Sequence, residues 1–183
     1  MNDYFQKWCC IILVLPHDNS IKNNIDSNKR ECNLYSDLIE TVKLIPCTKH
    51  VYYSNEIDQL PWNFESVDIY KSKSTFNKTI QFAFAHAFDE GFRKVIYIDS
   101  CIHNLECRYI EEAFLCLKMI EFVTGSSTEG KCYLLGMNYF EPGLLTNADT
   151  LLPDSKRLIK EISVHKMALY KLPVIVNKQI NMV

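Results

Sequence analysis

Residues Phe92–Leu117 read FRKVIYIDSCIHNLECRYIEEAFLCL, and their reading decides the fold. Val95 to Ile98 is a run of strand-forming apolar residues that ends on Asp99 and a short polar turn. From Leu105 the spacing changes to that of a helix, with Tyr109, Ile110, Ala113, Phe114 and Leu117 on one face. A strand, a carboxylate at its tip and a helix folding back is the unit of an α/β sheet, and ligands bind in the crevice beyond the strand tips of such sheets. Asp99 is therefore the first candidate functional residue.

The same alternation extends in both directions. Upstream, Phe76, Ile80, Ala83, Phe84, Ala87 and Phe88 form a helical stripe, with Ser74 or Thr75 as N-cap and Gly91 as stop. Residues 8–15, WCCIILVL, are continuously apolar and end at Pro16, as expected of a central strand covered on both faces. Residues 17–30 are polar and aperiodic, a long loop above the sheet. Leu34, Tyr35, Leu38, Ile39 and Val42 mark a first helix; 48–53 and 67–71 read as strands. Downstream, 119–124 and Cys132–Met137 read as strands that either form a hairpin or cross the sheet. A last helix is expected over Ser155–His165 and a last strand over Leu172–Val176. The whole predicts one α/β domain, 1–183, with a mostly parallel sheet and helices on both faces.

Composition narrows the function classes. The 183 residues are 48% hydrophobic with a formal charge of −2, and no basic face is available to neutralise a phosphate backbone, so nucleic acid is not an expected partner. The apolar run Cys9–Leu15 is too short for a membrane span and lacks the flanks of a signal peptide, which points to a buried strand and a cytoplasmic chain. The eight cysteines are then reduced thiols, several filling the core. Cys101, His103 and Cys107 match no zinc spacing, and Cys101 is a nucleophile only if a helix N-terminus or a cation acidifies it. His86 falls on the polar side of its helix with no nucleophile marked as its partner.

Dinucleotide, P-loop, esterase-elbow and zinc-protease motifs are absent, so the candidates are positional. Asp99 and Glu129, in successive turns, are carboxylates that could converge on one crevice and hold Mg²⁺ or Mn²⁺ against a diphosphate. Lys22, in the loop after the first strand, could reach a phosphate at the same edge.

The segment from FNKTIQFAFAHAF to CYLLGM, with IEEAF at Ile110–Phe114, resembles the radical-SAM/selenodomain-associated transferases, relatives of the nucleotide-diphospho-sugar transferases. LYSDLIETV from Leu34 is similar to that family's first helix. The resemblance implies a three-layer, Rossmann-like sheet of the GT-A type. It implies a glycosyltransferase-like protein that binds a nucleoside-diphosphate sugar and passes the sugar to an acceptor. Asp99 and Glu129 would be catalytic, Lys22, Asp99 and Ser100 would hold the nucleotide, and Asp99 would hold Mg²⁺ or Mn²⁺.

The motifs depart from the family at the ligand edge. Gly-Ser-Asp-Cys-Pro is replaced by Asp99, Ser100, Cys101, Ile102 and His103, so Cys101 takes the Asp position, a change that alters metal preference. Asp-Gly-Gly is replaced by Glu129, Gly130 and Lys131, and Lys-Thr-Arg-Leu corresponds at best to Lys22 to Ile25. Leu172 and Pro173 are retained, but Asn177 stands where an acidic pair follows. These departures leave open an alternative from another class, a catalytically degenerate domain that serves as a binding or scaffold module for a protein partner. A nucleotidyltransferase would need a glycine-rich, arginine-bearing loop at 16–30, which this chain does not supply.

Overall fold

The structure, a computed structural model, describes residues 8–14, 37–53, 67–71, 76–146, 152 and 154–176. Among the described residues seven strands form one sheet: β1 (Cys9–Val14), β2 (Thr48–Tyr53), β3 (Val67–Lys71), β4 (Lys94–Asp99), β5 (Phe122–Ser126), β6 (Cys132–Met137) and β7 (Leu169–Lys171). Their spatial order is β3-β2-β1-β4-β6-β5-β7. Parallel pairing joins β3, β2, β1 and β4, and also β5 with β7. β6 runs antiparallel to both β4 and β5.

β1 explains the layers. All six of its side chains are buried, and they alternate: Cys9, Ile11 and Leu13 enter one half of the core, Cys10, Ile12 and Val14 the other. Each fully buried aliphatic side chain of this kind contributes about 1.5–3 kcal/mol, so a strand without a polar face is stable only between two covers. One cover consists of a helical segment over 37–43, here α1, which brings Leu38, Ile39 and Val42, and α3 (Cys107–Cys116), which brings Ile110, Ala113 and Phe114. The other consists of α2 (Phe76–Asp89), α4 (Pro142–Leu145) and α5 (Ser155–Val164), which bring Ile80, Ala83, Phe84, Ala87, Leu144, Leu145, Leu158 and Ile162. The fold is a three-layer α/β sandwich around a mostly parallel sheet.

Local chemistry sets the element ends. Gly91 adopts φ +92, and the Phe92 amide donates to the Ala87 carbonyl (3.2 Å), which closes α2 with the left-handed turn that glycine adopts without strain. Asp154 caps α5 by accepting from the amides of Lys156 (3.1 Å) and Arg157 (3.2 Å). Glu106 is the N-cap residue of α3 but its side chain makes no capping bond; its carboxylate meets Arg108 at 2.8 Å. The last strand is Leu169–Lys171, earlier than the expected 172–176. Pro173, which has no amide to donate, interrupts the ladder; only Ile175 rejoins it, as a bridge to Ser127. The expected 119–124 strand begins later, at Phe122. The 17–30 loop, the start of the first helix at 31–36, Lys22, the Ser74/Thr75 cap and Asn177 lie outside the described residues.

Among the described residues Cys9, Cys10, Cys47, Cys101, Cys107, Cys116 and Cys132 are free thiols, and Cys9, Cys10, Cys47 and Cys132 are buried in the core. No described helix is long and apolar enough to cross a membrane.

Candidate ligand site at the strand tips

The parallel strands β1 and β4 end side by side, with Val14 registered against Asp99. β6 runs the other way, so its first residue and the preceding hairpin turn come to the same edge. The chain therefore gathers three segments there: the tip of β1, the 99–106 turn and the 127–131 turn.

Asp99 Oδ1 accepts the Cys101 amide at 3.0 Å, and the Ile102 amide donates to the Asp99 carbonyl at 3.1 Å. This is the local bonding by which aspartate stabilises a turn. Burial raises the Asp99 pKa, opposed by the Cys101 amide and by the Lys131 ammonium. Asp99 is thus a half-buried carboxylate whose charge is costly and whose nearby compensating cation is Lys131. Ser100 is buried, and its hydroxyl donates to the Val14 carbonyl at 3.1 Å, fastening the β4 turn to the end of β1.

Gly130 takes φ +82 in the second turn, where its amide donates to Ser127 at 2.9 Å; the Lys131 carbonyl accepts the Ser127 amide at 2.8 Å. Glu129 is exposed at the turn, and its Oε2 lies 3.3 Å from Lys131 Nζ. The structure sets Asp99 and Ser100 side by side at the end of β4 and puts Glu129 in the neighbouring turn, paired with Lys131. Lys131 pairs with Glu129 and its charge also lowers the Asp99 pKa, and it is the residue that sequence reasoning missed. The signal was its position immediately before a strand antiparallel to β4, which could be read only once the sheet order was known.

Cys101 is exposed at the turn, yet the protein around its sulfur displaces part of its water and, with the adjacent Asp99 charge, pushes its pKa up, so it is not an acidified nucleophile. Cys107 turns away, its thiol 3.4 Å from the Thr41 carbonyl. His86 lies on the side of α2 that faces β2 and β3, not on a solvated face: its Nδ1 is 3.2 Å from the Tyr52 hydroxyl. With His50 and Glu90 it forms a group whose ligand atoms lie within 4.8 Å of one another.

Solved structures share this architecture and define its class. A Desulfovibrio desulfuricans G20 protein inferred to be a nucleotide-diphospho-sugar transferase superposes with a TM-score of 0.73 at 18% identity, covering 93% of this chain and 81% of that one. The 4-diphosphocytidyl-2C-methyl-D-erythritol synthase of Anaerococcus prevotii DSM 20548 gives 0.60 at 8% identity, over 96% and 89%. Rv0371c of Mycobacterium tuberculosis H37Rv, solved as a manganese complex, gives 0.50 at 6% identity, over 94% and 90%. The fold is thus that of the nucleotide-diphospho-sugar transferase-like proteins. The chain itself belongs to the family described as "Uncharacterized protein conserved in bacteria (DUF2064)", whose model matches residues 39–150. No curated protein matches it.

Proposed function

We propose that this chain binds a nucleoside-diphosphate sugar at the tips of β1 and β4 and transfers the sugar to an acceptor, as a glycosyltransferase of the GT-A type. The carrying observation is Asp99, a half-buried carboxylate on the last residue of β4, registered with the end of β1 and balanced by Lys131. Ligands of open α/β sheets bind at such tips. Lys131, and Lys22 from the loop after β1, would contact the diphosphate. Ser100 would hold the turn against which the nucleotide rests, and Glu129 would be the second carboxylate or the base.

The donor chemistry fits a hard divalent cation. Mg²⁺ and Mn²⁺ are held by one or two carboxylates together with substrate phosphates and water, and Asp99 supplies a carboxylate whose burial calls for a cation. Asp99 would hold the ion, with Glu129 as the second carboxylate. Such an ion neutralises charge that develops on the diphosphate leaving group. The narrower kinship, with the radical-SAM/selenodomain-associated transferases, rests on IEEAF in α3 and CYLLGM in β6.

A second reading has its own observation. Glu129, the carboxylate that would serve as base, is paired with Lys131 at 3.3 Å, and Cys101 stands where the transferases this chain resembles carry an aspartate. A module that binds a nucleotide sugar without turning it over would keep this arrangement. Nucleotidyl transfer is less favoured, since residues 16–30 contain no glycine and only Arg30 as arginine.

The test is thermal unfolding with UDP- and GDP-sugars and Mn²⁺. A ligand at about 100 times its Kd stabilises by about 2.7 kcal/mol, a Tm rise of about 5–10 °C for a chain of this size. The expected result is such a rise in the wild type and its loss in Asp99→Asn; no rise with any nucleotide sugar would contradict binding. Release of free sugar from the donor separates the transferase from the binding module.

A further inference from the structure

We propose that His50, His86 and Glu90 form a second site, distinct from the strand tips, that takes a divalent late first-row transition ion such as Zn²⁺ and ties α2 to the β2–β3 edge of the sheet. His50 lies in β2, with Asp68 of β3 as its registered partner. His86 and Glu90 follow one another by one helical turn at the C-terminal end of α2. Because α2 runs back from β3 to β4, that end lies toward the start of the strands, away from Asp99.

His50 carries the inference. Its side chain is 0% exposed, yet neither Nδ1 nor Nε2 has a hydrogen-bond partner. Buried polar atoms are almost always satisfied, and this imidazole, packed among Tyr52, Tyr70 and Phe92, has carboxylates near it but no aligned hydrogen bond, an arrangement that a bound cation would complete. Its Nε2 is 3.2 Å from Glu90 Oε2 without the alignment of a hydrogen bond. His86 Nε2 is 3.6 Å from Glu90 Oε1. Two ligands of a tetrahedral zinc, each about 2.0–2.1 Å from the metal, lie about 3.3 Å apart; the two histidines approach opposite oxygens of Glu90 at about that spacing, and one ligand atom from each of the three residues lies within 4.8 Å of the others, so a small side-chain adjustment brings them onto one ion.

The surroundings agree. The Tyr52 hydroxyl, 3.2 Å from His86 Nδ1, accepts Nδ1–H in the tautomer that leaves Nε2 free to ligate, the outer-shell contact that orients metal-bound histidines. Phe82 stacks on the His86 ring at 5.6 Å and 9°. Asp68 Oδ2, 3.7 Å from His50 Nε2, adds a further negative charge beside the site. Glu90 adds a negative charge just past the C-terminus of α2, where the helix dipole disfavours anions and a bound cation would offset it. Two imidazoles with carboxylate select Zn²⁺ and its neighbours over Mg²⁺. Among the described strands β3 lies at the edge of the sheet with β2 beside it, so a metal here would staple α2 to the strand next to that edge.

Chelator-treated protein titrated with Co²⁺ and Zn²⁺ tests this. The expected result is one Co²⁺ per chain with the visible bands of tetrahedral nitrogen and oxygen ligation, and a Tm rise of about 5–10 °C in Zn²⁺ at about 100 times its Kd. His86→Gln/Glu90→Gln, two partly exposed positions, should keep the wild-type circular dichroism and lose both responses, and Glu90→Gln alone should weaken them. No stoichiometric binding to the wild type, an unchanged response in the double variant, or a thiolate-to-cobalt charge-transfer band pointing to the cysteines would overturn it. Nucleotide-sugar binding plays no part in any of these readouts.

Discussion

Phe114→Ala is expected to lower unfolding stability by about 3–5 kcal/mol, while Leu115→Ala, one residue along the same helix, should change it by less than about 0.5 kcal/mol. Phe114 is 1% exposed and sits in the half of the core formed by β1, β4, α1 and α3; Leu115 is 53% exposed. Truncating the phenyl ring removes its transfer energy and leaves a cavity under the sheet that Ile110 and Ala113 cannot fill, since both already pack there. Denaturant titration reads the difference. Equal losses at the two positions would mean that α3 does not face the sheet as described.

The second large effect comes from Gly125 of β5. A Cβ placed on it would lie on Tyr133 Cζ, 2.5 Å from Cε2 and 2.6 Å from the hydroxyl. The ring cannot swing away at no cost, because it is buried and its hydroxyl donates to the Pro173 carbonyl at 3.1 Å. Gly125→Ala should therefore cost about 3 kcal/mol, from overpacking plus the strained or lost hydrogen bond. In a Tyr133→Ala background the same change should cost little, since the atoms in conflict are gone. A double-mutant cycle in denaturant measures this coupling, and additive losses would refute the contact.

What was legible in the sequence follows the same physics. The β4–turn–α3 unit could be read because Val95–Ile98 is flanked by a glycine stop and an aspartate turn, and because Ile110, Ala113, Phe114 and Leu117 keep strict helical spacing. Gly91 ended α2 as expected, for the steric reason that makes a left-handed residue glycine. The order of strands could not be read. β5 and β6 do form a hairpin, yet β6 is the one set beside β4, so the chain leaving α3 passes over a position before turning back. Periodicity within a segment holds no record of which neighbour it pairs with.

The candidate site was half legible for a related reason. Asp99 could be placed from its own strand, but Lys131 gained meaning only when β6 proved antiparallel to β4 and brought its N-terminal end to the same edge. His50 and His86 are separated by β3 and part of α2, and no short motif joins them. The i, i+4 pair His86 and Glu90 was the available hint, and it gained force only from the bare, buried imidazole of His50.

Titrating isotope-labelled protein with UDP- and GDP-sugars while following the backbone amides locates the ligand. Binding at the strand tips moves Val14, Asp99, Ser100, Cys101 and Lys131 and leaves His50, His86 and Glu90 in place, and Asp99→Asn abolishes the shifts. Amides that move only around His50 and His86, or none that move at all, would contradict a nucleotide-sugar site at the ends of β1 and β4.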